Sequence, residues 1–275
     1  MANRRRRPSP RSWSRYAAGG RRVGGPGGFS DEALILFAAM AVEPDATRKG
    51  VIDTMIRALI SAGVWDLLDV LYVFAAHTEQ AALLNWVAPG TLDGVKVSTP
   101  TFAADEGFTP ASGAYINSGF IPSAGGTNFV LDSAHCSVRS LTAGVDSASA
   151  RLLGDAAGNA GRPLIIPHAA AETIVRMNED GGANIANAAG SAGLFTVSRT
   201  SSTVRATYRN GTLLESQNVN SVVLAGGALN IGADVETLFF PGIVASATIG
   251  AGLNGTQVAA HAAAELAYMQ AVGAV

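Results

Sequence analysis

Thr203-Val204-Arg205-Ala206-Thr207-Tyr208, then Arg209-Asn210-Gly211, then Thr212-Leu213-Leu214-Glu215, is the stretch on which the fold turns. Two short runs suited to a pleated strand flank Asn-Gly. Both central positions of a two-residue hairpin turn need positive φ, which Asn and Gly adopt at low cost. The stretch therefore predicts an antiparallel hairpin. Outward from it, segments rich in Val, Ile, Thr, Phe and Tyr alternate with Gly, Asn, Asp and Ser turns at roughly ten-residue spacing, the pattern of an all-β sandwich. The expected strands are 112–120, 127–132, 136–142, 150–154, 162–167, 173–177, 183–188, 193–199, 203–208, 212–217, 229–233 and 243–249. A terminal helix should follow. Asn254 caps it, Gln257 completes a capping box, and Val258, Ala262, Leu266 and Met269 form its apolar stripe.

Upstream of this β zone, residues 30–88 read as helical. Ser30 caps a first helix with Asp31 and Glu32 in its opening turn, where acids suit the helix dipole. A second helix starts near Asp45 and ends at Gly63. Val51, Ile52, Met55, Ile56, Leu59 and Ile60 take one face, and Lys49, Asp53 and Arg57 the opposite one. The apolar run 64–74 is expected to be a third helix, and Thr78 with Glu79 opens a short fourth one through Trp86. Three or four short helices predict a small bundle or collar.

Charge is divided sharply along the chain. Residues 1–30 hold eight arginines and no acid, leaving 11 basic groups against 21 acidic ones elsewhere. Arg4, Arg5, Arg6, Arg7, Arg11, Arg15, Arg21 and Arg22, with Trp13 and Tyr16 as anchors, are set among glycines and prolines. Such an arm cannot bury enough apolar surface to offset its chain entropy, so residues 1–29 are expected to be disordered alone or docked on a partner. A nucleic-acid partner would bring phosphates to the arginines and bases to stack on Trp13 and Tyr16. The acidic body opposes that, and a protein partner, with Arg forks on carboxylates, is favoured. The glycine run 24–28 falls where a signal peptide would need its apolar stretch, so no such leader is expected, and no run of apolar residues suits a membrane span. The single cysteine, Cys136, excludes an internal disulfide framework.

Four passages in order resemble a family of phage and prophage virion proteins built on a concanavalin A-like (laminin G-like) jelly roll. They are Trp65 to His77 before Leu84-Asn85-Trp86; Thr99 to Phe108 leading to Ala114 to Phe120; Tyr208-Arg209-Asn210-Gly211 with Leu229-Asn230-Ile231-Gly232-Ala233; and Ala247 to Leu253 with the terminal helix. The likeness spans the chain from about residue 65 and leaves residues 1–60 outside. It implies a structural component of a tailed phage or phage-like particle, located in the virion. The arm and helices would contact capsid, portal or tail proteins, and the sandwich would serve decoration or host attachment. A homo-oligomer is expected, because the small helical zone needs partners. The alternatives are a carbohydrate-binding adhesion module on a host-surface glycan, and a nucleic-acid binder acting through the arm. The expected class is thus α+β: arm 1–29, helical anchoring zone 30–88, and a jelly-roll sandwich 89–275 with its helix.

Reactive chemistry finds little support in the sequence, and no enzyme is expected. His77, His135, His168 and His261 show no ligand spacing. His135-Cys136 on a strand would point to opposite faces, with Cys136 buried and His135 at the surface; His261 is expected to be partly exposed. Asp234-Val235-Glu236 has alternate acids, as glycoside hydrolysis would want, but it reads as a loop, and Glu179-Asp180-Gly181-Gly182 reads as a turn. Asp132, Asp146, Asp155, Asn159 and Asp234 are loop oxygens without the dense run of a Ca²⁺ site. No catalytic, cofactor or metal residue is assigned. The zone from residue 89 has three tyrosines (Tyr115, Tyr208, Tyr268) and no tryptophan, which argues against an aromatic sugar platform.

Overall fold

The computed structural model describes residues 28–125, 128–158, 160–181, 183–234 and 237–275. The arm arginines, Trp13 and Tyr16, together with Asn159 and Glu236, lie outside the described residues. Helices α1 Asp31–Ala39, α2 Ala46–Ser61, α3 Glu79–Leu83 and α4 Gly255–Val272 accompany fifteen described strands. These are β1 Leu68–Val73, β2 Val95–Val97, β3 Thr101–Ala103, β4 Gly107–Thr109, β5 Tyr115–Asn117, β6 Ala134–Ser140, β7 Leu153–Asp155 and β8 Leu164–Ala169. They continue with β9 Glu172–Arg176, β10 Ala183–Ala186, β11 Gly193–Arg199, β12 Val204–Arg209, β13 Thr212–Asn218, β14 Leu229–Ile231 and β15 Val244–Gly250.

The predicted hairpin is β12–β13, with Asn210 at φ 50° and Gly211 at φ 81°. It forms the edge of an eight-stranded antiparallel sheet, ordered β13-β12-β11-β6-β15-β4-β3, with β1 also paired to β15. A seven-stranded antiparallel sheet, β10-β9-β8-β7-β14-β5-β2, stacks against it. The inner faces meet in one continuous core: Val70, Tyr72, Cys136, Val138, Phe195, Val197 and Ile249 from one sheet, Ile116, Leu153, Ile165, Val175 and Ile231 from the other. This is the jelly-roll sandwich the sequence predicted.

The run 64–74 differs from its reading. Only Trp65–Leu67 is helical, a single 3-10 turn, and Leu68–Val73 is strand β1, paired with β15 from Leu68↔Gly250 to Val73↔Ser246. Both faces of β1 are covered, so every residue except Asp69 is buried. A strand buried on both sides carries no period-2 signal and reads as a continuous apolar run. Three further short strands, β2, β3 and β4, went unread, while 128–132 makes only the Val130–Ser133 bridge.

The helices do not make a separate bundle. α1 packs on α2, α2 on α4, and α4 lies over the outer face of the eight-stranded sheet, where Glu265 reaches Arg139 of β6. Residues of α1 and α2 therefore join the same core as the strands. Ser30 and Asn254 cap as predicted, the latter within a full capping box, and Asp45 and Thr78 cap the helices expected to open there, although α3 stops at Leu83, short of the expected Trp86. Asp53, read on the wet side of α2, is buried. Its Oδ1 accepts from the Ser30 backbone N–H (2.7 Å) and hydroxyl (2.6 Å), and its Oδ2 from Arg57 Nε (2.6 Å). Burial opposes the charge on Asp53, yet these bonds hold its carboxyl below the usual range.

Candidate functional site on the seven-stranded sheet

Because α2 and α4 occupy the eight-stranded sheet, the outer face of the seven-stranded sheet is free of both. Cross-strand partners share a face, so Ile231, Leu153, Ile165 and Val175, paired in series, mark the inner side. The alternate positions Asn117, Asn230 and Gly154, also paired in series, mark the outer side, as does Arg176 opposite Leu164. Asp234 lies over this outer face directly above Gly154, where a Cβ would fall 2.7 Å from the Asp234 Cα. Glycine at 154 is what admits the carboxylate.

Asp234 is fully buried and gathers cations around it. Its Oδ2 accepts from Arg162 Nη1 at 3.2 Å and from Arg151 Nε at 3.5 Å, and Asn230 Nδ2 donates to its carbonyl at 3.0 Å. Arg151 and Arg162 remain partly open to solvent, with side chains 12% and 18% exposed. Arg176 stands close enough to feel both Arg162 and Asp234.

Pairing does not offset burial on either side of this cluster. Burial raises the Asp234 carboxyl despite Arg162 and Arg151, and burial lowers Arg151 and Arg176, the latter helped by repulsion from Arg162. Among the described residues, four buried polar atoms around Asp234 have no hydrogen-bond partner: Asp234 Oδ1, Asn230 Oδ1, Arg162 Nε and Arg176 Nε. Native interiors rarely leave such groups unpaired, and each unmade bond costs roughly 1–3 kcal/mol.

Other charged groups are spent structurally. Glu179, read as a turn residue, is buried and bridges Arg199 (2.8 Å) and Arg205, an ionic knot between the sheets. Under α4, Glu265 binds Arg139 at 3.1 Å and also accepts from Ser246. His135 and His261 are both fully buried beneath this helix, correcting the surface positions expected for them. On strand β6 the two neighbours do point apart: Cys136 enters the inner core while His135 faces α4, but α4 seals that outer face from water. His135 bonds the Ala251 carbonyl and the Thr248 hydroxyl (3.2 Å). Leu266, assigned to the helix's apolar stripe, is instead exposed, while Glu265 beside it turns inward.

The loop acids disperse. Asp132 accepts from Ser221 and Asp146 from the Ala170 backbone, and among the described residues no group of three or more His, Cys, Asp and Glu could hold a metal ion. No described helix is long and apolar enough to cross a membrane. Two surface grooves accompany α4. One, about 350 Å³, runs between α2 and α4 and is lined by Ala, Gly and Thr together with Val51, Met55 and Tyr268. The other, about 590 Å³, lies beside the 210–211 turn, but its Arg139 and Arg209 are engaged by Glu265 and by backbone carbonyls.

Of the residues now brought together, sequence reading had named only Asp234. Arg151, Arg162 and Arg176 come from three separate segments, and the register that gathers them has no local signature.

Among solved structures, a mutant Trypanosoma rangeli sialidase displaying trans-sialidase activity aligns with 80% of this chain at a TM-score of 0.53 and 8% identity. The chain spans 39% of that protein. The fold is a lectin-like jelly roll. Domain 4 of AbnA, an extracellular arabinanase from Geobacillus stearothermophilus in complex with arabinotriose, aligns with 71% of the chain and over 98% of its own length, at TM-score 0.46 and 14% identity. The botulinum neurotoxin serotype D binding domain aligns with 70% of the chain and 51% of its own, at TM-score 0.48 and 12% identity. At these identities the likeness is one of fold. No family model and no curated protein matches the sequence.

Proposed function

We propose that this jelly roll is a carbohydrate-binding module whose ligand sits on the outer face of the seven-stranded sheet, over Asn230, Asp234, Arg162 and Arg176. The observation that carries this reading is the set of four unpartnered buried polar atoms on that face. The partly open Arg151 and Arg162 side chains border these atoms, and sugar hydroxyls can accept from their guanidinium N–H groups. A printed glycan array tests it: wild-type protein should give discrete hits that weaken in Asn230→Ala, and an array blank for wild type would refute it.

A second reading concerns where the module works. Arg57 Nη2 donates to the Gly28 carbonyl at 2.7 Å, so the chain leaves toward its N-terminus from a fixed point on α2. α2 lies on the side of the sandwich away from the proposed sugar face. This disposition supports the virion reading, in which the arginine arm of residues 1–29 docks on a capsid, portal or tail protein and the sugar face points outward to a host glycan. Deleting residues 1–27 should then abolish incorporation into particles while sparing glycan binding. Unchanged incorporation would refute the tether.

A further inference from the structure

We infer that the groove beside α1 is the seat of this chain's own N-terminal arm, filled by Trp13 and Tyr16 while the arginines around them meet the acids of the helical zone. The inference is independent of the saccharide reading. Ala33 to Val42 is an unbroken run of ten apolar residues. A helix apolar on every side belongs under cover on every side, and α1 is covered on one only. Ala33, Leu36 and Phe37 enter the core, whereas Ile35 is 61% exposed, Val42 just past the helix is 56% exposed, and Ala38 is open as well. Leu34 and Ala38 line a surface groove of about 500 Å³ together with Phe29, Phe37, Glu43 and Lys49. An exposed apolar patch edged by charge is the mark of an interaction surface.

The point of attachment and the charge both favour the arm as occupant. Residues 1–27 join the body at the groove itself. Phe29 forms part of its wall, edge-on to Phe37 at 5.4 Å, and Gly28 is held by Arg57 at φ 82°. The run Gly24-Gly25-Pro26-Gly27-Gly28 can turn the chain back, and the stretch from Tyr16 to Gly28 reaches up to about 40 Å. A tether of this length sets an effective concentration near about millimolar, so weak contacts suffice. Residues 28–61 carry Asp31, Glu32, Glu43, Asp45 and Asp53 against Arg48, Lys49 and Arg57, two acids in excess, while residues 1–27 hold eight arginines and no acid. Asp31, Glu43 and Asp45 are exposed, where Arg forks can reach them. Trp and Tyr bury large apolar area at low entropic cost. A second copy seated face to face would instead bring these acids against their own kind. With Trp13 and Tyr16 seated, Arg4 to Arg11 stay available to a partner.

The test is paramagnetic broadening in the full-length protein. Cys136 is fully buried, so a nitroxide can be confined to Ser14→Cys, between the two aromatic residues, and in a second sample to Ser9→Cys, away from them. Isotope-enriched protein carrying either label should lose amide signal at Leu34, Ile35, Ala38 and Val42 and keep it along β8 and β9. The signals should return in Trp13→Ala/Tyr16→Ala, which alters only the arm, and in Ile35→Lys, at an exposed position. A mixture of labelled unenriched protein with enriched unlabelled protein should show no broadening. Broadening in that mixture would give the groove to a second copy's arm and overturn the intramolecular seat. Signals along α1 untouched by both labels, broadening spread evenly over the surface, or losses at α1 that survive both variants would each overturn the inference.

Discussion

At the scale of single residues, Gly154 is the position on which the site depends. Any side chain there meets Asp234, with a Cβ 2.7 Å from both its Cα and Cβ. Gly154→Ala should displace Asp234, cost about 1–3 kcal/mol of stability as overpacking does, and weaken glycan binding; chemical denaturation and titration measure the two effects. Asp234→Ala should be worse for the fold, by about 3 kcal/mol, because it leaves Arg151 and Arg162 facing each other without their shared carboxylate. A loss of under 1 kcal/mol would show the pair to be solvated. The sequence made Asp234 visible as a loop acid alternating with Glu236, and Cys136 as a buried thiol, which it is. Arg151, Arg162 and Arg176 were illegible as a group because strand pairing, which no spacing along the chain encodes, sets their places. The burial of Glu179 was illegible for a related reason: its turn is local, but its partners Arg199 and Arg205 lie on other strands.

At the scale of elements, caps and turns were the most legible features. The Asn210-Gly211 turn and the four helix caps stand where local chemistry put them, because each is settled within a few residues. Strand β1 was not, since both its faces are covered from a distance along the chain, with α3 against it and its inner residues in the core shared with the opposite sheet. The helix α4 was placed correctly and its face only partly so: its buried side mixes Val258 and Met269 with His261 and Glu265, giving a polar seam over β6 and β15. Removing one partner of that seam should be costly. Arg139→Ala leaves Glu265 buried and uncompensated, for a loss of about 3–5 kcal/mol in denaturant unfolding. The seam also sets a pH dependence. Burial pushes His135 down to about 3, despite its bond to Ala251 and with His261 adding repulsion, and burial lowers His261 as well. His135 is neutral when folded and takes up a proton near 6.5 when unfolded, so its share of the stability is full above pH 6.5 and falls as pH drops below it toward 3, by about 1.4 kcal/mol per pH unit. His261 acts in the same direction. His135→Asn should flatten the slope measured between pH 6.5 and 5; an unchanged slope would contradict the assignment.

At the scale of the whole molecule, the chain is layered: helices, eight-stranded sheet, seven-stranded sheet, with one core running between the sheets and under α1 and α2. The β-sandwich was readable from turn spacing, because a sandwich repeats its signal a dozen times. Which outer face stays open was not readable, since that depends on where α4 docks. One side carries α2 and Gly28, and the other presents the outer face over Gly154. If that face takes the sugar, as proposed, the grooves beside α4 should stay idle. Protein-observed NMR during titration with the strongest array hit tests this most directly. The account predicts shift changes gathered at Arg151, Arg162, Arg176, Asn230 and Asp234, with residues of α2 and α4 unmoved. Changes gathered instead along α4, at Ala259, Ala263 and Ala267, would contradict it.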